Sequence, residues 1–357
     1  MINVTKTYLP SFDEYIAIVK RAWDKSWITN NGELVQELEE KLMQYLGVQH
    51  LLFTSNGTLP LQMALKVLGI KKEVITTPFS YVATTNSILW EGAVPVFVDI
   101  DPHTLCIDAD KIEAAITADT EAIMATHVYG IPCDVEKIEA IAKKHGLKVI
   151  YDAAHSFGCT YNGKSLLSYG DISTCSFHAT KVFHTGEGGC IIAKDEEVAK
   201  QLLLYRSFGH LGDDYYSIGI NAKNSELHAA MGLCNLPAIG EIINARKLVY
   251  EEYNNRLNLE KIKQPVFSKN ADYNYAYYPV IFKTEKILLE VRAVLLKNAV
   301  STRRYFYPSL NQLPFLKNTM SCPVSEDISC RVLALPLFTD LSTEDVSRIC
   351  AIVNELV

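Results

Sequence analysis

Apolar residues recur at helical spacing over 135–145, where Val135, Ile138, Ile141 and Ala142 fall on one face. Between such stretches lie short runs that are apolar at consecutive positions: Glu73–Thr77, Val94–Ile100, Ala122–His127, Lys148–Asp152, Ile172–Phe177 and Cys190–Ala193. A strand that is apolar on both faces has to be covered on both, and helices between successive strands allow them to run parallel. From about Gly32 to Cys234 the pattern therefore predicts an α/β unit with a mostly parallel central sheet. Sheets of this kind bind ligands at the C-terminal ends of their strands, so the residues that close these runs carry the most information.

The pattern changes after Pro237. A helix is predicted over 238–257, a strand within YNYAYYPVIF (Tyr273–Phe282) and a helix ending near Lys297. The end reads as strand, turn and closing helix, with Ser342 as N-cap and Glu344 and Asp345 in the first turn. The expected organisation is an N-terminal segment (1–31), a large α/β domain (32–237) and a smaller C-terminal α+β domain (238–357). The first twenty or so residues are expected to pack on one of the two domains.

Composition narrows the function class. The 357 residues are 48% hydrophobic and 21% charged, as in an ordinary globular protein. A net charge of −7 without a basic block argues against nucleic acid or an acidic membrane as partner. The opening MINVTKTYLPSFDEY lacks the apolar run of a signal peptide, and no stretch is long enough to span a bilayer. Nine cysteines are scattered without a CxxC pair or a Cys/His cluster, so no metal is expected, and a reducing cytoplasm is.

Chemistry concentrates at two strand ends. Asp152 closes the run KVIYD, and Lys181 lies in SFHATKVFHTGEGGC between a predicted strand and a turn with Gly186, Gly188 and Gly189. An amine that can attack a carbonyl, paired with a carboxylate that can hold a protonated ring nitrogen, suits pyridoxal phosphate. A single loop lysine is usually just solvated. Two phosphate elements change that reading. In SNGTLPLQMAL, Gly57 and Thr58 precede a helical pattern at Leu61, Ala64, Leu65 and Leu68, where free N–H groups and the Thr58 hydroxyl could face an anion. Alone, this motif is equally consistent with an ordinary helix start. Ser176 ends the strand before Lys181 and could turn its hydroxyl to the same phosphate. GEGG enters a strand and is not a dinucleotide fingerprint. Burial or a neighbouring cation is expected to lower the Lys181 pKa from its usual ~10.4. His178 and His184 read as loop or packing residues and Tyr151 as core.

The motifs YDAAHSFG, SFHATKVFHTGEGG, SNGT (55–58), TTPFSYVATTNSILWEGAVPVFVDID (76–101) and GINAKNSELHAA (219–230) resemble the DegT/StrS-type (DegT/DnrJ/EryC/StrS) nucleotide-sugar aminotransferases from end to end. That resemblance implies the pyridoxal phosphate-dependent transferase fold type I (aspartate aminotransferase-like). It implies that Lys181 forms the Schiff base with the cofactor and acts as the proton-shuttling base, and that Asp152 pairs with the pyridine nitrogen. His155 is placed on the ring hydroxyl, Tyr81 on the ring face, and Gly57, Thr58 and Ser176 on the phosphate. Asn221 is placed on the phosphate from the other subunit, which makes a homodimer the minimal unit. The implied reaction moves an amino group from L-glutamate to a keto-sugar on a nucleoside diphosphate, in the first place a dTDP-linked 4-keto-6-deoxyhexose for surface-glycan synthesis. The 3-keto sugars, a cofactor-binding regulatory homologue, and a lyase or dehydratase on the same fold are the alternatives. Arg303, Arg304 and Tyr307 in STRRYFYPSL are candidates for the sugar diphosphate and the sugar pocket, since guanidinium suits phosphate oxygens. Leu59 and Pro60 stand where relatives often have Ala and Leu; proline is tolerated in a first helical turn.

Overall fold

The computed structural model describes residues 1–316 and 320–357. Seven strands, β1 (Leu51–Thr54), β2 (Glu73–Thr76), β3 (Val94–Phe97), β4 (Thr120–Thr126), β5 (Lys148–Asp152), β6 (Ile172–Ser176) and β7 (Gly189–Ala193), build the central sheet. Their spatial order is β1-β7-β6-β5-β4-β2-β3. All neighbours from β3 across to β6 pair in parallel. Only β7 runs the other way, antiparallel to β6 on one side and to β1 on the other.

Alternation along the strands explains why both faces are covered. Ile123, Ala125, Val149 and Tyr151 point to one side, where Val135, Ile138 and Ile141 of helix α5 (Val135–His145) pack on them. Ala122, Met124, Ile150 and Ile191 point to the other, beneath Leu61, Ala64 and Leu65 of α3 (Thr58–Val67). At the β1 edge, Leu34, Leu38 and Leu42 of α2 (Glu33–Leu46) pack with Phe53, Cys190 and with Ala229, Ala230 and Leu233 of α7 (Glu226–Asn235). Here α6 (Glu196–Arg206) ends on a buried ion pair: Arg206 binds Glu39, whose Oε1 also accepts the Phe53 N–H at 2.7 Å.

The C-terminal third has its own core. Strands β8 (Tyr278–Ile281) and β9 (Val332–Leu335) pair antiparallel. Around them lie α8 (Ile239–Arg256), α9 (Glu285–Lys297), α10 (Pro323–Arg331) and α11 (Thr343–Leu356). Val249, Tyr253, Leu288, Val291, Leu295, Ile349 and Val353 fill the space between. Ser342 Oγ caps α11, accepting the Asp345 N–H at 3.1 Å.

Three differences from the expected elements have physical causes. Strand β1 was not expected: Leu-Leu-Phe-Thr is only four residues long and stands against the SNGT turn. The predicted strand at Tyr273–Phe282 shrinks to Tyr278–Ile281 because upstream peptides bond side chains instead of a partner strand. Arg246 donates to the carbonyls of Tyr275 and Ala276, and the Ala276 N–H donates to Asn274 Oδ1 at 3.0 Å. The N-terminal residues divide between the two regions. Ile2 bridges Val300 and the Val4 carbonyl accepts the Leu337 N–H, whereas α1 (Phe12–Asp24) buries Val19 and Ala22 among the α2 and α7 side chains.

Candidate active site

Strand β5 ends with Asp152, buried at the sheet's C-terminal edge. Its Oδ2 accepts the Thr84 hydroxyl at 2.6 Å and its Oδ1 accepts the Ala154 N–H at 3.1 Å. Thr84 lies in α4 (Val82–Trp90), and its hydroxyl also meets Ser80 Oγ at 2.7 Å, which in turn meets Thr126 Oγ1 at 3.1 Å. The carboxylate thus rests on a buried row of hydroxyls. Burial pushes its pKa up, while Thr84, Ala154 and the charge of Lys181 act in the opposite direction.

Lys181 sits in the hairpin between β6 and β7, where its N–H donates to the His178 carbonyl at 2.8 Å. Burial works against its charge, but the Tyr277 phenol, Asp152 and the Cys175 thiol outweigh it and hold the ammonium pKa above its ordinary value. The sequence led to the opposite expectation. The reason for the reversal is the neighbourhood: the groups that act on this amine are acids, not cations.

His155 follows Asp152 in the next turn. Its Nδ1 accepts the Tyr129 N–H at 3.2 Å, which leaves the proton on Nε2, and its ring stacks on Phe306 at 5.6 Å. Burial and then Lys181 keep it well below the usual histidine range, so it is neutral. A neutral imidazole whose free nitrogen carries hydrogen can donate to an oxygen.

Gly57 and Ser176 approach closely from β1 and β6. A side chain on Gly57 would place its Cβ 2.7 Å from Ser176 Cβ, so this cradle requires glycine. The helix start differs from expectation. Asn56 Oδ1 accepts the N–H groups of Thr58 and Leu59, both at 2.9 Å, so the donors left for an anion include the hydroxyls of Thr58 and Ser176. Asn221 is exposed beside Ala222, whose carbonyl accepts the Ser55 N–H at 2.9 Å. His184 is buried and bonds the Tyr8 carbonyl at 2.6 Å, whereas exposed His178 faces Glu187. Tyr151 is buried and stacks on His127 at 4.5 Å.

Tyr81 stands 60% exposed at the start of α4 and opens onto a cavity of about 360 Å³. Arg292, Arg303, Arg304, Tyr305 and Tyr307 also line that cavity. The two sequence-adjacent arginines differ. Arg303 is exposed. Arg304 is nearly buried and donates from Nη2 to Glu285 at 2.7 Å and to the Cys330 carbonyl at 3.1 Å. Thr84, Ser80 and Tyr277 escaped the sequence reading; the strand-end rule points to Asp152 but not to what supports it. A second cavity, of about 400 Å³, is lined by His103, Lys263, Asp327 and Arg331 and shares none of these residues. Among the described residues no His/Cys/Asp/Glu group is placed to hold a metal.

A buried strand-end carboxylate, an amine in the adjoining hairpin, a neutral imidazole donor and a cradle that only glycine permits fit pyridoxal phosphate. Together with the sheet order they define a pyridoxal phosphate-dependent transferase of fold type I. The sequence model of the DegT/DnrJ/EryC1/StrS aminotransferase family matches residues 12–354, and the chain belongs to that family. It is 40% identical over 362 residues to the dTDP-4-amino-4,6-dideoxy-D-glucose transaminase of Shigella dysenteriae, covering 99% of both chains. It is 34% identical to the GDP-perosamine synthase of Escherichia coli O157:H7, covering 95% of this chain and 94% of that one. The crystal structure of DesI in the presence of its TDP-sugar product superposes with a TM-score of 0.93 at 33% identity, covering 98% of this chain and 91% of that one. The protein is an aminotransferase, and its cofactor is pyridoxal 5′-phosphate.

Bound here, that cofactor supplies a carbonyl for the amine to bond and a ring that takes up electron density. The chain's own contribution is to hold charges and protons at fixed atoms. Asp152 provides a buried negative charge, His155 Nε2 provides a donor, and the Lys181 Nζ can give up and take back a proton beside Tyr277.

Proposed function

We propose that this protein transfers the amino group of L-glutamate to a dTDP-linked 4-keto-6-deoxyhexose, giving the 4-amino-4,6-dideoxyglucose nucleotide. One observation carries the reading: 40% identity to the Shigella dysenteriae transaminase across 99% of both chains. Lys181 is the residue bonded to the cofactor and the base. Asp152 pairs with the ring nitrogen, His155 with the ring hydroxyl, Tyr81 with the ring face, and Gly57, Thr58 and Ser176 with the phosphate. Arg303 is the first candidate for the sugar's diphosphate.

The working unit is a homodimer in which Asn221 serves the partner's site. Exposed Phe208, Leu211, Tyr215, Tyr216 and Ile218 around the 210–215 hairpin support this, since an apolar cluster of that kind is normally covered by protein.

The test takes the pyridoxal phosphate-loaded enzyme through each half of the reaction separately. L-Glutamate should convert its visible absorption band in the wild type but not in Lys181→Ala, which should show no lysine-dependent band. Addition of the dTDP 4-keto sugar should then restore the band and yield the amino sugar. Restoration by a 3-keto sugar instead would move the assignment to the 3-aminotransferases. A band that glutamate leaves unchanged would remove the transaminase reading with this donor.

A further inference from the structure

Arg304 and Arg303 share a loop and each lies over a tyrosine ring, but they differ in burial and in ion pairing. Arg304 bonds Glu285 in the first turn of α9 and the Ser329 and Cys330 carbonyls in the last turn of α10. A carboxylate at a helix start and carbonyls at a helix end are both favourable partners for a cation. Its side chain is 11% exposed, and the Arg303 peptide is fixed by bonds to Ala334 in β9. A diphosphate would have to displace these partners to gain the Arg304 Nη2. The face of this guanidinium is already engaged, with its Cζ 3.5 Å from the centroid of the Tyr307 ring.

Tyr307 is 50% exposed and borders the cavity. Stacking on a locked guanidinium covers one face of the ring and restrains its rotation before any ligand arrives. A half-exposed aromatic face held in this way matches a second planar ring. Arg303, whose Cζ lies 5.7 Å from the centroid of the Tyr305 ring, and Arg292 are exposed around the same cavity. Among the described residues neither is held by a carboxylate as Arg304 is, so they are the cations open to phosphate oxygens.

We infer that Arg304 is a positioning residue that fixes Tyr307 as the stacking face for the nucleotide base, while Arg303 and Arg292 meet the diphosphate. The inference rests on the nucleotide-sugar reading above and divides its binding energy between two sets of residues.

The experiment compares dTDP with inorganic pyrophosphate, a probe without a base, by calorimetry on the pyridoxal phosphate-loaded protein. Arg304→Met should weaken dTDP binding about ten-fold, the scale of a desolvated cation–π contact. It should change pyrophosphate binding by less than about two-fold, because the cations facing phosphate remain. Tyr307→Leu should weaken dTDP similarly, and Arg304→Met should add nothing in the Tyr307→Leu background. In turnover, Arg304→Met should raise KM for the nucleotide sugar more than it lowers kcat. Glu285→Gln, which loosens the guanidinium without removing it, should weaken dTDP in the same direction and serves if Arg304→Met fails to fold.

Equal loss of dTDP and pyrophosphate affinity in Arg304→Met would make Arg304 a diphosphate ligand and overturn the inference. Additive losses in the double variant would overturn it too. Wild-type protein that neither binds dTDP nor aminates a dTDP sugar would overturn the functional reading and this inference together. Wild-type turnover with unaltered dTDP binding in both Arg304→Met and Tyr307→Leu would overturn the inference alone.

Discussion

The floor beneath Asp152 and the wall around Tyr307 are built on opposite plans. At the floor, Asp152, His155, Thr84, Ser80 and Thr126 are all buried, and each makes a hydrogen bond within the chain. At the wall, Tyr81, Arg303 and Tyr307 stand open to solvent, beside Arg304, which is locked by Glu285. A charge held among preorganised dipoles needs no rearrangement when a reaction reaches it. An open wall of arginines and aromatics can be altered without disturbing the core. On the proposed reading, the chemistry common to aminotransferases lies in the floor and the choice of acceptor in the wall.

The largest effect expected is at the amine. Lys181→Ala should lower amino transfer by at least ~10³-fold, since both the covalent partner and the base are lost. Single-turnover spectra with L-glutamate measure this. Asp152→Asn should lower the glutamate half-reaction by roughly 10²-fold, because the buried negative charge disappears while the Thr84 and Ala154 contacts have a polar replacement. A near-normal rate would mean that the floor's charge is not what sets the chemistry. Gly57→Ala drives a methyl group into Ser176 and should cost about 1–3 kcal/mol, as an overpacked site does. It should show as weaker retention of pyridoxal phosphate on dialysis.

The raised Lys181 pKa gives a pH prediction with a definite sign. A raised pKa keeps the amine protonated at neutral pH, and only the neutral amine attacks a carbonyl. Cofactor uptake by the ligand-free protein should therefore accelerate with rising pH, by up to ~10-fold per unit until the lysine pKa is passed. In Asp152→Asn the acceleration should level off at lower pH, because one of the acids holding the proton is gone; stopped-flow mixing at several pH values reads both. The smallest effect belongs to the wall. Arg303→Ala should raise KM for the nucleotide sugar several-fold at low ionic strength and less at high salt, as an exposed charge does.

The strands from β2 to β7 were legible because each run is apolar on both faces, and Asp152 stood out as a carboxylate closing such a run. Lys181 was legible as a residue type at a strand–turn junction, but its proton affinity was not. Of the acids that raise it, Asp152 was already in view, but Tyr277 lies far along the chain and the Cys175 thiol reads as core. Asn56 was hidden for another reason: an N-cap and a free phosphate site begin from the same SNGT residues, and only the folded chain shows which atoms are occupied. Arg304 looked like its neighbour until Glu285 and the end of α10 came into contact with it. For Lys181 and Arg304 what the sequence conceals is a partner distant in the chain; for Asn56 it is which of two local arrangements the same residues adopt.

Strand β7 has a consequence for how the protein is made. It supplies the sheet pairing of β1, with Leu51 opposite Ile192 and Thr54 opposite Gly189, and the close contact proposed to cradle the phosphate joins Gly57 beyond β1 to Ser176 at the end of β6. During synthesis β1 leaves the ribosome long before β7 and waits as an unpaired edge, the kind of strand that recruits other chains. A fragment ending before Gly189 would keep Asp152 at the end of its strand yet lack the closing pair, so cofactor capture becomes a late event that reports a finished sheet.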